Sequence, residues 1–222
     1  MKWEVSQRPS YSLLKVYLDP GESVTAEPGA MVMYRGNVQV KTHTGGGLFK
    51  GITRALLGGE SVFMNTFIAG SGGGEIWFAP SLPGDIQYHE LRGEELIIQD
   101  TSYLANHGNI DLGVAWRGFR GLLAEGELFW LKAKGYGGVW ISAYGGIERI
   151  DLGPGESMIL DNFHFVAMTS SLQWRVRKFG GLKSFLLGGE GIVIELTGPG
   201  TVYVQTRALP PFVGLISKYI KK

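Results

Sequence analysis

The chain has 222 residues, enough for a substantial hydrophobic core, and 44% of them are apolar, which excludes an intrinsically disordered protein. Its 35 glycines follow no three-residue period, so a collagen-like chain is also excluded. The formal net charge of +1 gives no overall field to attract nucleic acid or an anionic membrane, and the lack of cysteine excludes disulfides and thiolate chemistry.

The first residues give an expectation about the compartment. Residues 1–6 lack the apolar segment of a secretory signal peptide. Apolar runs elsewhere in the chain do not approach the ~20 residues of a membrane-spanning helix. We therefore expect a soluble, cytoplasmic protein.

A strand and a glycine turn open the first of three similar segments. Residues 14–18 alternate as a half-buried strand does, and the turn at 19–22 follows. Matching turns occur at 91–94 and 152–156. Sixteen residues after the glycine of each turn, another alternating strand begins. These later strands begin at Asn37, Asn109 and Ser171.

A second motif supports the same division of the chain. The stretch Leu-Leu-Gly-Gly-Glu at 56–60 returns at 186–190, and a looser copy occupies 122–127. Each copy follows a segment of variable length that carries basic residues, and each precedes two apolar strands joined by a glycine turn. Short repeats of this kind bury their apolar faces by stacking on one another.

These patterns predict one all-β domain with few short helices and internal pseudo-threefold symmetry. The repeats are predicted at 12–85, 86–146 and 147–208, arranged as a barrel or prism, with a short amphipathic helix at 211–222. A meander or sandwich of unrelated strands is the alternative.

Several stretches of the chain resemble a single family. They occupy residues 1–4, 12–14, 20–23, 27–32, 45–48, 59–67 and 78–86. The chain is similar to the prokaryotic branch of the Altered Inheritance of Mitochondria family, also called the mitochondrial biogenesis family. This resemblance implies a fold like that of the trp RNA-binding attenuation protein and a tendency to form closed oligomers. It implies no established enzymatic activity, and the inner-membrane role of mitochondrial members applies here only by analogy.

The sequence predicts no catalytic, cofactor-binding or metal-binding residue. The glycine clusters at 45–51 and 70–74 lack the order of a phosphate-binding loop, and no Gly-x-Ser-x-Gly nucleophile motif occurs. No two of the four histidines lie within ten residues of each other, which disfavours a metal site on one strand. We therefore expect a protein that is not an enzyme and has no cofactor.

The repeated glutamates leave one enzymatic alternative open. Glu60, Glu127 and Glu190 occupy equivalent positions, and symmetry would bring them together as carboxylates with raised pKa values. A glutamate that closes a glycine turn more often accepts backbone hydrogen bonds or pairs with a nearby cation. The structural role is therefore favoured.

Basic residues in the variable segments are candidates for binding an anionic partner or lipid. A threefold arrangement would gather them at one end of the molecule, beside exposed phenylalanines. An ordinary set of solvated loops is the alternative. The candidate residues are Lys50, Arg54, Arg117, Arg120, Lys178 and Lys183.

The C-terminal segment carries an apolar stripe at helical spacing. Such a short helix is not stable alone in water, so we expect it to dock on its own domain, on a neighbouring subunit or on a bilayer. Docking on protein is favoured, because a short face with three lysines binds membranes weakly. The stripe consists of Phe212, Leu215, Ile216, Tyr219 and Ile220.

The expected function is that of a non-enzymatic, oligomeric β scaffold that organises a membrane surface or a protein partner. Six tryptophans, nine tyrosines and 11 phenylalanines provide aromatic surface for subunit interfaces, so we predict a homo-oligomer, with a trimer favoured. Nucleic-acid binding by analogy with the attenuation protein is an alternative. The near-zero net charge makes nucleic acid an unfavoured partner.

Overall fold

The computed structural model of the chain describes residues 1–44, 63–117, 129–179 and 192–220. Within these ranges the chain forms antiparallel β-strands, two single-turn 3₁₀ helices and one short C-terminal α-helix. The predicted all-β class is therefore confirmed. The Leu-Leu motifs at 56–60, 122–127 and 186–190 lie outside the described residues.

The first part of the fold is built around one long strand. Its strands are β1 (Lys2–Ser6), β2 (Leu13–Leu18), β3 (Ser23–Ala26), β4 (Met31–Thr44) and β5 (Phe63–Phe78). In β2 the alternate residues Leu14, Val16 and Leu18 are buried, as the sequence pattern predicts. The first half of β5 lies between β3 and β4, and its second half lies between β2 and β4.

The middle part has three long strands with β8 at the centre. The elements are β6 (Ile86–Gln99), the 3₁₀ helix η1 (Asp100–Ser102), β7 (Tyr103–Arg117) and β8 (Phe129–Ser142). β6 pairs with β8 from Ile86↔Ser142 to Gln99↔Trp130, and β7 pairs with the opposite edge of β8. The 3₁₀ helix η1 connects β6 to β7, and both strands run antiparallel to β8.

The last part contains shorter strands in a similar arrangement. The elements are β9 (Ile147–Leu152), β10 (Ser157–Asp161), η2 (Asn162–His164), β11 (Phe165–Thr169), β12 (Gln173–Lys178), β13 (Ile192–Thr197), β14 (Gly200–Gln205) and α1 (Leu209–Ser217). β14 lies between β9 and β11, whereas β13 lies between β10 and β12.

A common pairing pattern is visible in the three parts. In the middle part, the first halves of β6 and β7 flank the second half of β8, and their second halves flank its first half. In the last part, β9 and β11 flank β14, and β10 and β12 flank β13, in the corresponding places. In the first part, β2, β3 and β4 flank β5 in the corresponding places. The exact repeat boundaries and the superposition of the three segments stay predictions.

Two antiparallel junctions join these parts, β3 to β7 and β6 to β11. The main sheet therefore runs β1-β2-β5-β3-β7-β8-β6-β11-β14-β9 with β4 on β5, and β10-β13-β12 form a second sheet. Our expectation of a barrel needs correction here, because the described strands follow an open path rather than a closed one. Closure requires the last part to pair with the first, but in the described residues β10 pairs only with β13 and β4 only with β5.

Among the described residues, three apolar clusters form the core. The first packs Phe67 and Phe78 of β5 with Trp140 of β8, and the last packs Trp130 with Phe165 and Ile194. The middle cluster connects them through residues of β6, β7 and β8. Each cluster contains side chains from at least two parts of the chain, so neighbouring parts share their core.

Candidate functional site

The predicted basic rim lies mostly outside the part of the chain that the structure describes. Lys50, Arg54, Arg120 and Lys183 fall in the undescribed ranges, as do Glu60, Glu127 and Glu190. Arg117 and Lys178 are the last residues of β7 and β12, where two of the predicted loops begin. The neighbouring Arg177 donates a hydrogen bond of 2.5 Å to Glu195 across the β12–β13 pair. An anion-binding rim therefore stays a prediction.

The C-terminal helix is present, and its start and end differ from the prediction. It begins at Leu209, with two prolines in its first turn, and ends at Ser217. Tyr219 and Ile220 therefore follow the helix rather than extend its stripe. Among the described residues, no helix is long and apolar enough to cross a membrane.

The apolar face of α1 is exposed. Phe212 is 45% exposed, Leu215 50% and Ile216 42%, and no residue of the helix is buried. Phe212 contacts the body of the protein through Tyr144, with the two ring centroids 5.8 Å apart. The protein's own surface thus covers only part of the stripe, and most of it is available to another molecule.

A shallow groove of about 240 Å³ lies at the same end of the molecule as α1. It is lined by Tyr11, Ser12 and residues 79–84. Gly84 forms a bridge with Gly145, next to the Tyr144 ring that Phe212 contacts. This end of the molecule therefore comprises α1 and residues 11–12, 79–84 and 143–146.

Asp85 anchors the N-terminal segment beneath this groove. Arg8 donates two hydrogen bonds of 2.8 and 2.7 Å to its carboxylate, and the Ser12 hydroxyl and the Ile86 N–H donate two more. Burial alone would raise the pKa of Asp85, but these donors together lower it below its usual value. The carboxylate is saturated with donors, so it stabilises the fold rather than acting as an acid or base.

A pair of carboxyl groups lies where β3 meets the middle part. The Glu27 N–H donates to the Leu104 carbonyl across this junction, and Asp100 lies in η1. Burial raises the pKa of Glu27 to about 7, and the charge of Asp100 adds to the shift. Burial also raises the pKa of Asp100 to about 6. The pair can hold a proton near neutral pH.

No sequence pattern predicts this carboxyl pair. Glu27 follows a short strand, and Asp100 lies in a polar stretch between two strands, which is typical of any turn. Their proximity depends on the pairing of β3 with β7, which joins residues about 80 positions apart in sequence. No local pattern signals such a long-range junction.

The histidines take part in buried polar contacts within the sheet. Tyr88 and His107 form a hydrogen bond of 3.0 Å beside Trp140, and His89 forms one of 2.9 Å with Tyr203. Burial lowers the pKa of both His89 and His107, which favours their neutral forms. Within the described ranges, no three histidine, aspartate or glutamate side chains are placed to hold a metal ion.

Comparison with known proteins identifies the family. The model for the family "Mitochondrial biogenesis AIM24" matches residues 3–207. The chain belongs to this family. It is similar to an uncharacterised protein of Streptococcus pyogenes serotype M6, with 29% identity over 228 aligned positions that cover 99% of this chain and 91% of the relative.

A solved structure also resembles this member of the AIM24 family. The crystal structure of a Streptococcus pyogenes protein superposes with a TM-score of 0.81 and 29% identity, covering 99% of each chain. The match extends over nearly the whole of both chains. The predicted likeness to the trp RNA-binding attenuation protein stays a prediction.

Proposed function

We propose that this AIM24 family member is a non-enzymatic β scaffold that attaches to another protein through α1. The observation that carries the proposal is the exposed apolar face of the helix, with Phe212, Leu215 and Ile216 each at least 42% exposed. Exposed apolar helix faces of this kind fit into apolar grooves of partner proteins. The continuous sheet to which the helix is connected supplies a rigid platform.

A protein groove fits this helix better than a bilayer surface does. The helix has nine residues, and none of its first-turn or last-turn residues is charged. Interfacial membrane helices combine an apolar face with a basic polar face, because attraction to anionic lipid adds to apolar burial. A short helix without that basic face binds a bilayer weakly, whereas a shaped groove buries it on several sides.

Site-specific photo-crosslinking tests this attachment. A benzophenone amino acid at Phe212 should form one discrete protein adduct in native cells, whereas the same group at the exposed strand residue Glu148 should not. Combining Phe212→Ser, Leu215→Ser and Ile216→Ser should abolish binding of the adducted protein to the purified chain. Crosslinking only to lipid, together with sedimentation on phosphatidylserine vesicles that the triple variant loses, would support membrane docking and overturn the protein proposal.

A further inference from the structure

The two junctions between the parts of this chain use the same register. At the first junction the pairs are Val24↔His107, Thr25↔Asn106 and Ala26↔Ala105. At the second the pairs are Leu96↔Thr169, Ile97↔Met168 and Ile98↔Ala167.

The spacing of these pairs follows the spacing of the turn glycines. Val24 and Leu96 are 72 residues apart, as are Gly21 and Gly93. His107 and Thr169 are 62 residues apart, as are Gly93 and Gly155. The same strand-to-strand register therefore occurs at two places within the molecule.

Both junctions bury most of the residues that they pair. At the second junction Ile97 is 7% exposed and the opposing Met168 is fully buried. At the first junction Ala26 and Ala105 are buried, and Asn106 is buried between β3 and β8. This strand contact covers apolar surface wherever it forms.

A third pair of strands matches these junctions but is not joined. The glycine spacing places Met158, Ile159 and Leu160 of β10 in the role of Leu96, Ile97 and Ile98. By the same spacing, Met33, Tyr34 and Arg35 of β4 take the role of Ala105, Asn106 and His107.

Within the described ranges, no strand pairs with the outer edge of residues 157–160 of β10 or of residues 31–36 of β4. β10 pairs there only with β13, and residues 31–36 of β4 pair only with β5. Ile159 is 55% exposed and Tyr34 46%, although their counterparts Ile97 and Met168 are buried. Met31 and Val32 beside Tyr34 are also exposed. An exposed apolar strand edge is a template for pairing with another chain.

We propose that β10 of one molecule pairs antiparallel with β4 of a second copy of this chain. The register repeats the internal junctions: Met158 opposite Arg35, Ile159 opposite Tyr34, and Leu160 opposite Met33. The occupant is a second copy, because the chain carries both halves of a contact that it already makes twice internally, and they do not meet within one molecule. This register also places Asp161 opposite Val32, so no like charges face each other.

The assembly that results is head-to-tail. Each copy offers one β10 edge and one β4 edge, and the two edges are different surfaces. Such a heterologous contact closes into a ring when the rotation between copies allows it, and otherwise continues as a filament. The contact does not involve α1, so it is independent of the attachment proposed above.

Lysine substitutions at the two edges test the proposal by complementation. The full-length protein should have a mass of at least twice 24.2 kDa by light scattering at micromolar concentration. Ile159→Lys and Tyr34→Lys should each be monomeric, because a charge on the edge opposes pairing. Mixing the two variants should give a 1:1 dimer, since each retains the edge that the other lacks.

The outcome for these variants can contradict the proposal directly. A monomeric full-length protein, or lysine variants with the mass of the parent, would overturn it. Circular dichroism checks that the variants fold, and both positions are exposed, so folding should be unchanged. Because α1 is intact in every variant, a change in mass reports on the strand edges.

Introduced cysteines test the register, since the natural chain has none. Directly opposed residues of an antiparallel pair have Cα atoms roughly 4.5–5.5 Å apart, within reach of a disulfide. The pair Ile159→Cys with Tyr34→Cys should form disulfide-linked dimers and larger species under mild oxidation. The register-shifted pair Ile159→Cys with Val32→Cys is the matched control and should not. A disulfide confined to one chain would show that the edges close intramolecularly and would overturn the second-copy assignment.

Discussion

At the scale of single residues, hydrogen-bond donors decide whether a buried carboxyl group of this protein has a lowered or a raised pKa. Asp85 is buried with four donors, so it is held in its charged form. Glu27 and Asp100 are partly buried, and burial raises their pKa values. Near neutral pH the charged Asp85 therefore stabilises the fold, whereas burial of Glu27 and Asp100 destabilises it.

The carboxyl pair predicts how stability changes with pH. The pKa of Glu27 is raised to about 7, so the folded state binds more protons than the unfolded state as pH rises from the ordinary glutamate value toward 7. The free energy of unfolding should therefore decrease across that interval. Glu27→Gln should remove the part of this dependence that comes from Glu27, leave the part that comes from Asp100, and raise the free energy of unfolding at pH 8 by about 1–3 kcal/mol.

Urea denaturation at a series of pH values measures this effect. Glu148→Gln, on an exposed position of β9, is the control and should leave the pH profile unchanged. A Glu27→Gln protein with the same slope and stability as the parent would show that Glu27 is charged and well solvated in the folded state.

The Asp85 anchor predicts a loss of stability. Asp85→Asn leaves the Arg8 guanidinium without its charged partner and should lower the free energy of unfolding by about 2 kcal/mol at pH 7. The pKa of Asp85 is lowered, so its contribution is present above the ordinary aspartate value and disappears as the pH falls through the lowered pKa. The stabilities of parent and variant should therefore converge in acid. Equal stability at pH 7 would contradict the anchoring role.

At the scale of elements, α1 differs from the strands because it buries little of its surface. Its sequence places an apolar stripe on one face, but the tertiary structure covers that stripe only around Phe212. The strands instead bury one face almost completely, as Leu14, Val16 and Leu18 in β2 show.

Removal of the helix should therefore leave the fold intact. Deleting residues 209–222 should lower the melting temperature by less than about 4 °C, since a loss near 1 kcal/mol shifts a domain of this size by roughly 2–4 °C. Differential scanning calorimetry measures this change. A much larger decrease would show that α1 docks firmly on its own sheet.

At the scale of the whole molecule, the main structural feature is that the described strands follow an open order. Three similar parts are joined by two equivalent junctions, which leaves one matching edge at each end. A net charge of +1 means that neither attraction nor repulsion between whole molecules is strong. Association of copies should therefore depend on backbone hydrogen bonds and apolar contacts.

This dependence predicts assembly that is insensitive to salt. Raising sodium chloride from roughly 0.1 to 1 M reduces the Debye length from ~10 to ~3 Å, which weakens exposed ion pairs. The sedimentation coefficient of the assembly should stay constant over this range. Dissociation at high salt would indicate that charged loops, rather than the β10 and β4 edges, join the copies.

The amino-acid sequence alone determined the strands and their approximate positions. Alternation of apolar residues is a local property, and a strand that buries one face displays it directly, as β2 does. The sixteen-residue spacing after Gly21, Gly93 and Gly155 also pointed to strands near Asn37, Asn109 and Ser171, but their predicted starts were wrong. β4 and β7 begin six residues earlier, at Met31 and Tyr103, and β12 begins at Gln173. The helical stripe at Phe212, Leu215 and Ile216 was equally readable, because a period near 3.6 is local too.

Only the tertiary structure decided which strand edges pair, which remain free and which carboxyl groups are buried. Thr25 meets Asn106, and Glu27 approaches Asp100, through contacts between residues far apart in the chain. Ile159 is exposed where no described strand pairs with the outer edge of β10, although its local pattern is similar to that of buried Ile97. Periodicity shows that a residue belongs to a strand, but the neighbours of that strand are set by long-range pairing.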